Sequence, residues 1–206
     1  MKISLSPQAL LFDMDGVLVD SLDSWWKSLN NALRRIKHET ISKDQFIEEY
    51  WGFSLQENLE KLGIEMKNQE FCNYFYKKYV DNVKLFSDTK DILRKLESFP
   101  KAIITNTPAK CTKQILEKFD IKQYFDVVIT SDQIEEGKPS PEMVFKACEQ
   151  LEVNVEEVVL IGDTQNDVKA GRAVGCTTIG IQASSADFVI GHISKLDQII
   201  NTKINQ

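Results

Sequence analysis

The stretch Ala9-Leu10-Leu11-Phe12-Asp13-Met14-Asp15-Gly16 joins an unbroken apolar run to two aspartates and a glycine. Four apolar residues in a row are too few for a core helix, and they suit a strand of a parallel sheet covered on both faces. Residues two apart on extended backbone project to the same side, so Asp13 and Asp15 can face one ligand. Two close carboxylates repel, which raises the proton affinity of one unless a cation neutralises the pair. Such a pair can divide its labour: one aspartate stays ionised as metal ligand and nucleophile, and the other holds a proton for a leaving group.

Outward from this stretch, similar short runs recur at 102–104, 127–129, 158–161 and 177–181, with helical patterns at 91–97, 110–119, 141–151 and 167–174. The alternation predicts an α/β fold built on a doubly wound parallel sheet. Residues 186–190 can add an edge strand and 196–200 a closing helix. From about 21 to 84 no strand is expected and helical periodicity dominates, with Leu22, Trp25, Trp26, Leu29 and Leu33 on one face and Phe71, Phe75 and Tyr79 on another. A small helical unit needs such rings for a core, so Trp25, Trp26, Phe71 and Phe75 are read as packing residues. Trp51-Gly52-Phe53-Ser54 interrupts the helical patterns and can present a loop to a substrate at the carboxyl end of the first strand, where ligands bind in such sheets.

A second acidic cluster, Gly162-Asp163-Thr164-Gln165-Asn166-Asp167, again follows a strand and runs into a helix, which puts Asp163 and Asp167 on one face. Carboxylate ligands of this kind suit Mg2+, which is held by few carboxylates together with substrate phosphate. Thr105, at the end of the strand at 102–104, and Lys138, in Glu136-Gly137-Lys138-Pro139, supply a hydroxyl and an ammonium fit for phosphoryl oxygens.

The totals narrow the function classes. Hydrophobic residues make up 42% of the 206 and charged residues 27%, as in ordinary globular proteins, and no apolar run approaches a membrane span. The first seven residues are too short and polar for a secretory signal, so a cytoplasmic location is expected. A net charge of -6 with scattered Lys and Arg argues against a nucleic-acid partner and leaves room for a small anionic one. Cys72, Cys111, Cys148 and Cys176 stand too far apart for a zinc motif, and His38 and His192 have no partner at ligand spacing.

Taken together, Asp13 to Ser21, Thr105-Asn106, Gly137 to Pro141 and Gly162-Asp163 through Asp167 resemble the four ordered motifs of the haloacid dehalogenase superfamily, and the similarity spans nearly the whole chain. The resemblance implies a Rossmann-like core from 1–16 and 87–206 with a small helical cap inserted at 17–86. It also implies site roles. Asp13 would form an aspartyl phosphate, and Asp15 would act as general acid and base. Thr105, Asn106 and Lys138 would hold the phosphoryl group, and Gly52, Phe53 and Ser54 would contact the substrate from the cap. Asp13, Asp163, the backbone carbonyl of Asp15 and Asp167, at the metal's edge, would hold Mg2+. The implied substrate is a small phosphorylated metabolite, and the implied assembly is a monomer or a homodimer.

Within that superfamily, dehalogenases do not keep the second aspartate as acid and base, so Asp15 favours phosphate chemistry. Beta-phosphoglucomutases keep both aspartates, but resemble a pattern with a basic residue just after Gly-x-Ser, where this chain has Leu55. Gly162-Asp163 is similar to phosphoglycolate phosphatases and related pyrophosphatases, where the mutases usually carry Glu-Asp. A regulatory module that only stores phosphate on Asp13 stays open as a different class, although Asp15 would discharge its signal.

Overall fold

The computed structural model describes residues 5–65, 75 and 78–200. Its core is a six-stranded sheet in which every neighbouring pair is parallel, in the order β5-β4-β1-β6-β7-β8. The strands are β1 (Ala9–Phe12), β4 (Lys101–Thr105), β5 (Val127–Thr130), β6 (Val158–Gly162), β7 (Thr177–Ile181) and β8 (Phe188–Ile190). Strands β1, β4 and β6 are buried along their whole length, because helices cover both faces and leave no side for polar residues. The chain passes from β1 to β4 on one side and later returns to β6 on the other, so the carboxyl end of β1 is the switch point of the sheet.

The α/β expectation holds, and its edges move for local reasons. Lys101 joins β4 ahead of the apolar run because its ammonium, almost fully buried, donates to the carbonyls of Leu96 and Phe99 at 2.8 and 2.6 Å, where the preceding helix ends. Strand β8 begins at 188 rather than 186, since the Asp187 carboxylate turns back to accept from the backbone and hydroxyl of Thr178. The closing helix expected at 196–200 is instead a 3-10 helix at Ile193–Gln198, and Ile200 pairs with Leu5 beside the sheet.

Between β1 and β4 lie helices α1 (Leu22–Arg35), α2 (Lys43–Glu49) and α3 (Leu55–Lys61), a helical segment at 78–82, and α4 (Thr89–Lys95). An antiparallel ribbon of β2 (Val19–Asp20) and β3 (Lys84–Leu85) ties the two connections of the helical unit together. Two-residue strands carry no readable periodicity, which is why no strand was expected there. The helical unit is built on rings: Trp25 packs against Phe75, Tyr79 and Phe46 at centroid distances of 4.7, 5.6 and 6.5 Å. Trp26 is only half-buried, and its indole N–H donates to the Ile41 carbonyl at 2.8 Å. Phe71 and Cys72 lie outside the described residues. Among the described cysteines, Cys111, Cys148 and Cys176 are buried, unpaired thiols whose pKa burial pushes up to about 12, 11 and 12. No helix among the described residues is long and apolar enough to cross a membrane.

The buried Asn30 brackets Ile41 from α1, accepting from its N–H at 2.7 Å and donating to its carbonyl at 2.9 Å. Asn30→Ala leaves the buried Ile41 N–H without a partner, while the Ile41 carbonyl keeps the Trp26 indole. It should destabilise the protein by about 1–3 kcal/mol, read as a shift of the urea midpoint at unchanged m-value.

Candidate active site

Four core loops and one cap loop meet at the carboxyl ends of β1, β4 and β6. Asp13 follows β1 directly and is buried. Its Oδ1 accepts from the Met14 N–H at 2.7 Å and lies 2.9 Å from the Lys138 ammonium. Lys138 reaches it from the loop before α6 (Glu142–Leu151), the helix after α5 (Ala109–Lys118), and is itself 2% exposed. The same ammonium donates to Asp167 Oδ1 at 2.6 Å and to the Ile104 carbonyl at 2.9 Å, which uses all three of its protons. Burial alone would discharge the lysine, but the two carboxylates outweigh it and hold its pKa above the ordinary lysine value.

Asp163 stands at the end of β6, and Asp167 in the first turn of α7 (Gln165–Val174). The helix starts two residues earlier than its apolar pattern because Thr164 and Asp167 form a capping box, with Asp167 Oδ2 accepting from the Thr164 N–H and hydroxyl at 3.0 and 2.7 Å. Asp163 Oδ2 accepts from the Trp51 indole N–H at 2.9 Å, whereas Asp163 Oδ1 is enclosed with no hydrogen-bond partner among the described residues. Gly16 makes room for this carboxylate: its φ is +76°, and a Cβ there would lie 2.1 Å from Asp163 Oδ2.

Carboxylate oxygens of Asp13, Asp163 and Asp167 gather within 4.8 Å of one another. Three carboxylates share one ammonium, and the burial of Asp13 and Asp163 raises both pKa values, that of Asp163 to about 7. An all-oxygen set with one enclosed, unpartnered oxygen and a deficit of positive charge fits a hard divalent cation such as Mg2+. Asp13 and Asp163 are the oxygens best placed to hold it. Asp167 has both oxygens committed, one to Lys138 and one to the helix cap.

The Asp15 carboxylate lies outside that group. Its Oδ1 accepts from the Tyr79 hydroxyl, and its Oδ2 from the Thr107 hydroxyl at 2.8 Å. Tyr79 is fully buried, and burial raises its pKa well above the ordinary tyrosine value, so it stays a donor. Thr105 is buried at the floor. Its Oγ1 accepts from the Thr107 N–H at 3.1 Å, which leaves its own proton free to donate.

The Asn106 side chain is fully used: Oδ1 accepts from the Lys138 N–H, and the amide group donates to the carbonyls of Lys138 and Gly52, each at 2.9 Å. It locks the lysine loop and the cap loop rather than projecting toward a ligand. Asn166 also donates to the Gly52 carbonyl, at 3.1 Å. Gly52 has φ +84°, and a Cβ there would meet Thr164 at 2.9 Å, so glycine permits the close approach. Phe53 lines the resulting cavity together with Trp25, Tyr50 and Trp51. Ser54 does not line it; its hydroxyl is the N-cap of α3, paired with Glu57 in a capping box.

Of the residues singled out from sequence, the structure brings together Asp13, Asp15, Thr105, Asn106, Lys138, Asp163, Gly52 and Phe53 around one cavity, with Asp167 behind Lys138. It adds Trp51, Tyr79 and Thr107, which touch the site's aspartates. Trp51 begins the stretch already read as able to face a substrate, while the sequence places Tyr79 only on a helix face, because helical periodicity does not report what its hydroxyl meets.

Paired aspartates, a buried lysine and an acidic cluster at the switch point of a parallel α/β sheet suit an enzyme of phosphoryl-transfer chemistry. The chain matches the haloacid dehalogenase-like hydrolase family over residues 10–181, and it belongs to that family. It is a hydrolase of the phosphatase type. A phosphoglycolate phosphatase of Aquifex aeolicus is 28% identical over 210 residues, covering 96% of this chain and 98% of that one. A protein of Clostridium perfringens carrying the provisional name pyrophosphatase PpaX is 30% identical over 181 residues, covering 85% and 84%. The fold also matches CbbY from Rhodobacter sphaeroides, crystallised with phosphate, at a TM-score of 0.81 and 18% identity, covering 92% and 96%.

The raised pKa of Asp163 couples stability to pH. An acid whose folded pKa, about 7, lies above its ordinary value of 3.8 stabilises fully below the lower value, and loses that contribution as pH rises through the upper one. Chelator-treated protein should therefore melt about 5 °C lower near pH 8 than near pH 5.5. In Asp163→Asn the difference should shrink, with the buried Asp13 retaining part of it. An identical difference in the variant, by differential scanning fluorimetry, would refute the assignment.

Proposed function

We propose that the protein is a magnesium-dependent phosphatase that hydrolyses a small phosphorylated metabolite through an aspartyl phosphate on Asp13. The observation that carries this reading is the contact of the buried Lys138 ammonium with Asp13 Oδ1, beside a second aspartate held in place by two hydroxyls. Lys138 aligns the carboxylate for attack on phosphorus and offsets the charge of the phosphoryl oxygens. An Asp13 oxygen attacks phosphorus, the ester oxygen departs with a proton from Asp15, and Asp13 is left phosphorylated. Water then attacks the phosphoryl group, Asp15 takes its proton, and phosphate leaves with Asp13 restored. The Thr105 hydroxyl is free to donate to a phosphoryl oxygen. Mg2+, held by Asp13 and Asp163, would supply further positive charge to the transferring group.

As the cap stands, the cavity offers only about 20 Å³ to water-sized molecules, room for one or two. A phosphate ester reaches Asp13 only when the loop around Gly52 withdraws. Three hydrogen bonds oppose that withdrawal: Trp51 to Asp163, and Asn106 and Asn166 to the Gly52 carbonyl. Closure then excludes bulk water from the phosphorylated aspartate.

Asp13→Asn should abolish phosphate release, as should chelation of Mg2+, and turnover near the wild-type rate in that variant would overturn the proposal. Asp15→Asn should lower kcat by about 10²–10⁴-fold with little change in KM, because it removes proton transfer and keeps the shape. Trp51→Phe removes the one side-chain donor to Asp163 among the described residues. It should alter the Mg2+ concentration giving half-maximal rate by about threefold or more, given a charge-assisted hydrogen bond of this strength. An unchanged metal titration would mean that the indole contact does not bear on the metal.

A further inference from the structure

The cavity over Asp13 has two chemically different halves. Its floor is polar and acidic: Asp13, Asp15 and Asp163 line it with Thr105, Thr107 and Lys138. Its cap side is formed by Trp25, Tyr50, Trp51 and Phe53. Among the described residues lining it, Lys138 is the one cation, and its three protons are already directed at Asp13, Asp167 and the Ile104 carbonyl. Lys61 lies over the Phe53 ring but does not line the cavity. Its ammonium sits 3.1 Å from the Phe53 ring centroid and donates to the Glu49 carbonyl at 2.7 Å.

We infer that the substrate is a phosphate monoester whose leaving group carries no second negative charge and presents an apolar or aromatic face to the cap. This rests on the phosphatase reading above and narrows it. A carboxylate or a second phosphate placed under the cap would be desolvated among rings, with no free cation among the described lining residues to pair it. An uncharged group loses little there and stacks on the rings. The glycolate and pyrophosphate in the names of relatives both place a further anion at that end. Selectivity against them therefore comes from a missing counter-charge rather than from a clash.

The test is a set of kcat/KM values for the full-length protein with Mg2+ on matched esters: glycerol 3-phosphate against 3-phosphoglycerate, which differ by a hydroxymethyl and a carboxylate, together with benzyl phosphate, phosphoglycolate and inorganic pyrophosphate. Benzyl phosphate and glycerol 3-phosphate should exceed the carboxylated esters and pyrophosphate by about tenfold or more. Phe53→Arg, which puts a cation in the cap wall, should raise phosphoglycolate relative to benzyl phosphate by about tenfold. A wild-type preference for phosphoglycolate or pyrophosphate would overturn this inference while leaving the phosphatase reading intact. No turnover of any ester would overturn both.

Discussion

The ammonium of Lys138 is the interaction on which the rest of the site depends. It is buried at the switch point of the sheet, and a lysine there is tolerable only because Asp13, Asp167 and the Ile104 carbonyl take its three protons. Each partner comes from a different strand end or helix start, so the lysine joins β1, β4 and α7. Asn106 fixes the backbone of Lys138 on both sides, which removes the freedom of the loop that carries it. The cluster still holds more carboxylates than cations. That shortage of positive charge suits the site to a divalent ion, which would in turn offset the charge of an anionic phosphoryl group.

The cap is fastened to this cluster through polar contacts with the groups that would do the chemistry. Trp51 meets Asp163, Tyr79 meets Asp15, and the Gly52 carbonyl is held by the asparagine that braces Lys138. The cap position and the orientation of both aspartates are therefore one coupled arrangement. Withdrawal of the loop around Gly52 would remove the Trp51 donor from Asp163 and one of the two acceptors of the Asn106 amide together. The ring cluster around Trp25 packs the helical unit and runs on without a break into the apolar core beside β1 and β4.

The strands β1, β5, β6 and β7 were legible because continuous apolar runs in a doubly covered sheet leave little else for those residues to be. The boundaries that moved did so through polar side chains with partners far away in the chain or in an unexpected direction. Lys101 entered a strand by donating to a helix end, and Asp187 shortened another by turning to Thr178. The β2–β3 ribbon was invisible because two residues cannot show a period. In the site, Asp13, Asp15, Lys138 and Asp163 could be read from motif order, since each follows a strand or precedes a helix at one edge of the sheet. Ser54 could not be separated from a substrate contact by sequence, because a serine before a helix looks the same whether it caps or binds.

The sequence by itself determined the α/β core, the helical insert and the membership of one acidic, lysine-bearing constellation. Those features are local or ordered along the chain. Only the tertiary structure decided how the constellation is partitioned: Asp163 toward Trp51, Asp15 toward Tyr79 and Thr107, Asp167 toward Lys138, and Asn106 between the Lys138 loop and the Gly52 carbonyl. Each of those assignments depends on which oxygen meets a donor dozens of residues away. That is set by packing, and no spacing along the chain encodes it.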